Sequence, residues 1–203
     1  MTGRKKLSVN INIVKAFAYG LSFVLCLIML AGCTSMNDAE KKVSKELKAL
    51  QEADVLGNEV MDLRESLSED GRENFDGFLK KLRAFGFEIT GSEEVRENDD
   101  AYTLVNVRIR TYDFGREYLA AWTAFLKSHA DGLTEDDLTE YYELLFERLD
   151  SLDEKDYIKD IQIVCIDPLG NGEWIAGIKD NEVLQDAIFG GMMGEMKTLA
   201  AEQ

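Results

Sequence analysis

The sequence predicts an α+β fold in which helices pack on one antiparallel sheet. Between residues 38 and 86, apolar side chains recur every three or four positions, which is the spacing of amphipathic helices. Between residues 102 and 111, and again between 161 and 178, they alternate with other side chains, as in strands with one buried face. These elements are preceded by a segment of another kind, in which residues 16–32 carry no charge.

Residues 1–32 have the layout of a secretory signal peptide. The uncharged apolar run follows a basic start that contains Arg4, Lys5, Lys6 and Lys15 and no acid. The run ends in Leu30-Ala31-Gly32-Cys33, which resembles the lipobox of bacterial lipoproteins. The resemblance implies that Cys33 receives a diacylglyceryl group and that a dedicated peptidase cuts between Gly32 and Cys33. The protein would then be held by this lipid at the extracytoplasmic face of the cell membrane.

An uncleaved transmembrane anchor is the alternative interpretation of the same run. Its 17 uncharged residues are near the lower limit for crossing about 30 Å of hydrocarbon. Both interpretations place the rest of the chain outside the cytoplasmic membrane. With ~0.8 kcal/mol gained per buried CH₂, two acyl chains would hold it there stably.

The charge of the chain excludes a nucleic-acid partner. Lys and Arg number 23 against 39 Asp and Glu, for a formal charge of −16, and loss of residues 1–32 would make it −20. Binding to a polyphosphate depends mainly on Lys and Arg. Of the three cysteines, Cys26 would leave with the signal and Cys33 would be acylated, so Cys165 would have no intramolecular disulfide partner.

Three helices are expected before the first strand. The first has Val43, Leu47 and Leu50 on one side and a basic stripe on the other, formed by Lys41, Lys45 and Lys48 with Lys42 beside them. The second contains Leu56, Val60, Leu63 and Leu67, and the third contains Phe75, Phe78, Leu79, Leu82 and Phe85. We expect Gly86 to close the third helix in a left-handed conformation.

From Phe87 the period changes to two. Phe87 and Ile89 predict a short strand that ends at Gly91, and a polar stretch to Asp100 leads into a long strand. One face of the long strand carries Thr103, Val105, Val107, Ile109 and Thr111.

A helical pair is predicted next. One helix passes through Tyr118, Trp122 and Phe125, and the other through Leu138, Tyr141, Tyr142, Leu145, Leu149 and Leu152. Asp131-Gly132 separates them, and Thr134 is the expected N-cap of the second helix. This is the pattern of an αα-hairpin.

The last part of the chain predicts two strands and a helix. Ile161, Ile163 and Cys165 mark the first strand, Pro168 and Asn171-Gly172 a turn, and Trp174, Ala176 and Ile178 the second strand. A final helix should begin near Asp180 or Asn181 and continue through Leu184, Ile188 and Met192.

This order of elements resembles a nuclear-transport-factor-2-like (NTF2-like), or cystatin-like, domain. The resemblance is most specific in Val164-Cys165-Ile166-Asp167, Gly172-Glu173-Trp174-Ile175, Asn181-Glu182-x-Leu184 and Phe189-Gly190-Gly191, as in NTF2-like lipoproteins of low-GC Gram-positive bacteria. It implies a curved antiparallel sheet packed on N-terminal helices, with a C-terminal helix. The αα-hairpin expected over residues 113–152 is an insertion that departs from the minimal fold of this superfamily. The chain would then consist of a signal peptide (1–32), a short tether (33–36) and an NTF2-like domain (37–203).

We expect no catalytic residues, metal or cofactor. Enzymes of this superfamily hold an Asp, His or Tyr inside the cone between sheet and helices, whereas the inward faces predicted here carry no carboxylate, amine or imidazole. His129 is expected to cap a helix C-terminus and Cys165 to be a small buried hydrophobe. The acidic runs 97–100 and 135–137 lack EF-hand spacing.

A glycine pair near the end of the chain has the spacing of a membrane helix-packing motif. Gly190 and Gly194 are four residues apart, but the charged residues Asp186, Glu195 and Lys197 exclude a bilayer. We expect these glycines to stop the helix or to let it approach the sheet.

Two surfaces are candidates for function. The stripe Lys41, Lys42, Lys45 and Lys48 either faces anionic lipid headgroups, at ~1 kcal/mol per basic residue, or is a solvated helix face. The second candidate is the set of aromatic residues on the helical pair. They form either part of a core or a surface that acts as a lid or docks a partner. They are Tyr118, Trp122, Phe125, Tyr141, Tyr142 and Phe146.

Three classes of function remain. The first is a non-catalytic, membrane-anchored module that binds an envelope protein or has a structural role. The second is a lipoprotein that binds a small molecule in the cone, and the third is an isomerase-like or dehydratase-like enzyme. A filled core would favour the first class, and an open cone lined by polar groups the other two.

Overall fold

A computed structural model describes residues 36–53, 58–97, 100–129 and 137–201. Within these ranges seven helices accompany one four-stranded antiparallel sheet, so the predicted α+β class is confirmed. The signal segment, Cys33 and most of the tether lie outside the described residues. None of the helices in these ranges has the length and apolar character needed to cross a membrane.

The elements follow one another with short connections. They are α1 Asp38–Glu52, α2 Asn58–Ser66, α3 Glu69–Arg83, β1 Gly86–Glu97, β2 Asp100–Thr111, α4 Phe114–Ser128, α5 Asp137–Asp150, β3 Tyr157–Ile166, β4 Ile175–Ala176, α6 Glu182–Ile188 and α7 Met192–Ala201. The strand order is β1-β2-β3-β4, and each neighbouring pair is antiparallel.

One face of the sheet is covered by α1 and α6. The residues of β2 that were predicted to lie on one face of the strand are all buried, from Thr103 to Thr111. Side chains of β3 extend this face, and Val43 and Leu47 of α1 and Leu184 of α6 pack into the same core. These side chains therefore form a core over the buried face of β2.

The end of α3 differs from the prediction. The helix ends at Arg83 with Ala84 as its C-cap, so the expectation that Gly86 closes it is wrong. Gly86 is instead the first residue of β1, and its φ is not positive. The reason is that Phe85 packs in the core under the sheet, and the Gln51 side-chain amide donates to its carbonyl at 2.5 Å.

The first strand is longer than predicted. β1 continues past Gly91 to Glu97, through the stretch that was expected to be a polar connection. At Gly91 φ is +144° and the register with β2 shifts, so the strand bends through a bulge and then resumes pairing. β1 lies at the edge of the sheet, and its exposed second half lacks the alternation that marks a half-buried strand.

The last strand is shorter than predicted. β4 contains only Ile175 and Ala176, whereas the alternation extended from Trp174 to Ile178. The Gly177 N–H donates to the Val164 carbonyl at 2.8 Å, after which the chain leaves the sheet and buries Ile178.

The predicted C-terminal helix is broken in two. Asn181 caps α6 by accepting from the Leu184 N–H, as expected, but α6 ends at Ile188 and α7 begins at Met192. Gly190 and Gly191 between them have φ of +55° and +80°. Gly190 thus stops a helix, whereas Gly194 lies inside α7.

A second core lies between α3, α4, α5 and α7. Phe114, Phe125 and Leu149 are among its fully buried members. The Lys81 ammonium joins α3 to the end of α5 through the Asp150 carboxylate at 2.7 Å. Leu152, which was predicted on the second helix of the pair, lies beyond its end at Asp150. The connection with Asp131-Gly132 and Thr134 is outside the described residues.

Replacing Thr111 with valine is expected to stabilise the protein by about 1 kcal/mol. Thr111 is 0% exposed, and its hydroxyl has no hydrogen-bond partner among the described residues. Valine keeps the shape and removes a desolvated polar group. Thr111→Ser is the control, because it keeps the hydroxyl and loses a methyl group, so it should destabilise. Urea unfolding of both variants measures the effect, and loss of stability in Thr111→Val would contradict the prediction.

Candidate functional site

An apolar groove runs through the helical half of the protein. It has a volume of about 520 Å³ and is lined by α2, α3, α5 and α7, together with Tyr118 of α4 and Phe189 between α6 and α7. Its lining side chains in the described part of the chain are aliphatic, aromatic or methionine, and none is charged. We call this feature the helical groove. A groove of this size with an apolar lining is typical of small-molecule sites.

The aromatic residues predicted as a core or a docking surface divide between buried positions and half-buried ones. Phe125, Tyr141 and Phe146 are buried, at 1%, 5% and 5% exposure. Tyr118 and Tyr142 are half-buried and line the helical groove together with Tyr141. Trp122 does not line the groove, but it packs edge-on against Tyr141 with ring centroids 5.3 Å apart. The helical pair thus supplies one wall of the groove.

Tyr141 provides a polar group within this apolar lining. Its hydroxyl is buried and makes no well-aligned hydrogen bond with the described residues. Burial raises the pKa of Tyr141 far above its usual value, and the nearby Tyr118 and Tyr142 raise it further. The phenol therefore stays neutral at physiological pH and can donate or accept a hydrogen bond.

A second cavity adjoins the groove. It has a volume of about 440 Å³ and is bounded by the end of α1, the end of α3, α6 and the start of α7. We call it the adjoining cavity. Leu82, Phe189 and Met193 line both spaces, so the two cavities are neighbours across these side chains. Unlike the groove, the adjoining cavity has charged residues in its wall, Arg83 and Lys179.

The lysine stripe on α1 is exposed but electrostatically weak. Lys41, Lys45 and Lys48 are on the solvent side, and Lys42 is half-buried. The Lys41 ammonium is 2.8 Å from the Asp38 carboxylate, and the Lys42 ammonium is 2.9 Å from the Glu46 carboxylate. The whole helix has four lysines and four acidic residues, so it offers anionic lipid a smaller attraction than the lysine spacing alone suggested.

His129 is the C-cap of α4, as predicted. Its neighbours resemble the serine, histidine and aspartate of a hydrolase triad. The Ser128 hydroxyl is 3.0 Å from His129 Nδ1, and the Asp137 carboxylate is 3.7 Å from Nε2. The Ser128 hydroxyl, however, donates to the Phe125 carbonyl at 2.8 Å. Both groups also sit at a helix C-terminus, where carbonyl oxygens repel a developing oxyanion. This arrangement therefore fits a helix cap and not a nucleophile with its base.

Cys165 occupies the buried face of β3, as expected of a small core residue. Burial raises the pKa of its thiol to about 11, and Glu46 adds to the effect while Lys42 opposes it. A thiol with this pKa is almost entirely protonated near neutral pH and is a poor nucleophile.

The acidic runs form no metal site within the described residues. Glu97 ends β1 and Asp100 begins β2, while residues 98–99 and 135–136 are outside the described ranges. No group of three or more His, Cys, Asp or Glu side chains converges among the described residues.

Several residues of the two cavities were missed by sequence reasoning. The methionines of α7 and the pair Arg83 and Lys179 received no functional interpretation, although they line the groove and the adjoining cavity. They belong to different elements and come together only through the break at Gly190 and Gly191 and the packing of α7. No pattern along the chain indicates that proximity.

Comparison with known proteins identifies no relative of this chain. No family model matches the chain, and neither a curated protein nor a solved structure shows significant similarity to it.

Proposed function

We propose that this protein is an exported lipoprotein, anchored through Cys33, whose NTF2-like module binds an apolar ligand in the helical groove without catalysing a reaction. The helical groove is the observation that carries this proposal. Its volume of about 520 Å³ falls within the range of roughly 300–1,000 Å³ that small-molecule sites occupy.

The lining of the groove favours binding over chemistry. Apolar walls with a few polar groups are typical of ligand sites, and Tyr118, Tyr141 and Tyr142 are the described lining residues that carry a polar group in their side chains. A general acid or base would need a pKa near the working pH, whereas burial moves the pKa of Tyr141 away from it. The core over the buried face of β2 also favours a site between the helices and not against the centre of the sheet.

The three methionines of α7 fit an adaptable binding wall. Met192, Met193 and Met196 all line the groove, and Met196 is 46% exposed. Methionine side chains are flexible and polarisable, so they adjust to ligands of different shape.

Met196→Trp is expected to weaken binding of a neutral apolar probe, N-phenyl-1-naphthylamine, by at least about tenfold, because the larger side chain occupies the groove. The protein to test is residues 34–203, since the chain from Asp38 onward is one compact unit with both cores inside it. Met61→Trp is the matched control, because Met61 is a similarly exposed methionine that does not line the groove. Probe fluorescence gives the affinities, and thermal unfolding shows that each variant is folded.

Two results would contradict the proposal. One is the absence of saturable binding to the folded wild-type protein, and the other is equal affinity in Met196→Trp and wild type.

A protein partner is the second candidate, and the outer face of the sheet favours it. Val164, Ile166 and Ile175 expose 46%, 40% and 54% of their surface at the end where β3 and β4 pair, and Leu169 in the following turn exposes 76%. Clustered exposed apolar residues of this kind are common where another protein docks. An envelope protein captured by wild type but lost in Ile166→Asp, with groove binding unchanged, would assign this surface.

A further inference from the structure

We infer that the ligand of the helical groove is an anionic single-chain amphiphile of the fatty-acid class, with its tail in the groove and its carboxylate in the adjoining cavity beside Arg83 and Lys179. This inference rests on the proposed function, since it names the class of ligand that the same site would take.

The first support is the connection between the two cavities. Leu82, Phe189 and Met193 line both, so the two cavities meet at these three residues. Met193 is flexible, and its movement would open a passage without moving a helix. A long, thin apolar chain is the ligand shape that fits two neighbouring cavities joined in this way.

The second support is the sign of the charge at the site. Among the described residues that line either cavity, Arg83 and Lys179 are basic and none is acidic. The chain as a whole carries 39 acidic residues against 23 basic ones, so a lining that contains cations alone runs against its composition. Such a lining attracts an anionic headgroup and repels a cationic one.

The two cations suit different parts of that task. Arg83 is the last residue of α3, and its side chain is half-buried. Lys179 is exposed and lies in the turn before α6, where its long side chain can follow a headgroup. The arrangement therefore combines a half-buried cation with an exposed one at the edge of an apolar cavity.

Competition against N-phenyl-1-naphthylamine tests the inference with three compounds that share a twelve-carbon chain: dodecanoate, dodecanol and dodecyltrimethylammonium. In residues 34–203, we expect dodecanoate to displace the probe at a concentration several-fold below that of the other two. Lys179→Gln should raise the dodecanoate concentration required by about threefold to fivefold, the effect of one partly exposed ion pair. It should leave dodecanol unchanged. Lys159→Gln, an exposed lysine of β3 that lines neither cavity, is the matched control and should change nothing.

Each other outcome overturns the inference and says whether the proposed function survives. If the probe binds and dodecanoate and dodecanol compete equally in wild type and Lys179→Gln, the groove binds apolar ligands without recognising an anion. If the probe binds and none of the three compounds displaces it, the occupant is not an acyl chain. If neither the probe nor dodecanoate binds, the proposed function fails together with the inference.

Discussion

Gly190→Ala is expected to lower the free energy of unfolding by about 3 to 5 kcal/mol, which is the largest effect of a single methyl group that we predict for this protein. Gly190 has φ of +55°, a conformation that alanine adopts only with strain. Its Cβ would also stand 2.0 Å from the Tyr112 carbonyl oxygen and 2.9 Å from the Phe114 nitrogen. Both are backbone atoms, so neither can rotate away.

A hydrogen bond of Gly190 explains why the loss of stability should affect the whole fold. The Gly190 carbonyl accepts a hydrogen bond from the Gly115 N–H at 3.0 Å, which holds the break between α6 and α7 against the first turn of α4. Displacing Gly190 therefore separates the C-terminal helices from α4. Because α7 forms part of the groove wall, probe binding should weaken together with stability.

Gly194→Ala is the matched control within the same glycine pair. Gly194 lies in α7, and its added Cβ would be 3.4 Å from the nearest atom, an oxygen of the Asp186 side chain, which is ordinary contact. Alanine is the better helix former by up to about 1 kcal/mol, so this variant should be neutral or slightly more stable. Thermal and urea unfolding compare the two variants, and equal stability of both would show that the contact at Gly190 does not constrain the fold.

The strands that could be predicted from sequence are those with one buried face. β2 is central, and its side chains from Thr103 to Thr111 alternate between the core and the other face, so the period of two is clear. Beyond Gly91, β1 is an edge strand with largely exposed residues on both faces. Its pairing depends on backbone hydrogen bonds to β2, which leave no hydrophobic pattern in the sequence.

The helical groove could be predicted only in part, for a related reason. Tyr118, Tyr141 and Tyr142 were identified as aromatic residues of a helical pair, but helical spacing is the same for a residue that fills a core and one that lines a cavity. What distinguishes them is the shape of the space between α2, α3, α5 and α7. That shape depends on helix packing and on the break at Gly190, which sequence periodicity does not report.

Cys33→Ser is expected to abolish lipid attachment and, with it, removal of residues 1–32. In the lipobox interpretation the glyceride is joined to the thiol before the peptidase cuts, so a serine at this position should stop both steps. We expect the protein from a Gram-positive host to change from a shortened chain that incorporates labelled palmitate to an unlabelled chain that keeps its N-terminus. The mass of the intact protein and the palmitate label measure these two changes separately.

Cys26→Ser provides the control that separates the lipobox from an uncleaved anchor. Residue 26 lies in the segment that would be removed, so the mature protein from this variant should have the same mass and the same label as wild type. An uncleaved anchor predicts the opposite pattern, because each variant would then keep the whole chain and differ from wild type by its substitution alone. Membrane fractionation would not distinguish the two interpretations, since an uncleaved apolar run and two acyl chains both hold the protein at the membrane. The mass of the Cys26→Ser protein therefore decides whether the domain is held by a lipid on Cys33 or by its first 32 residues.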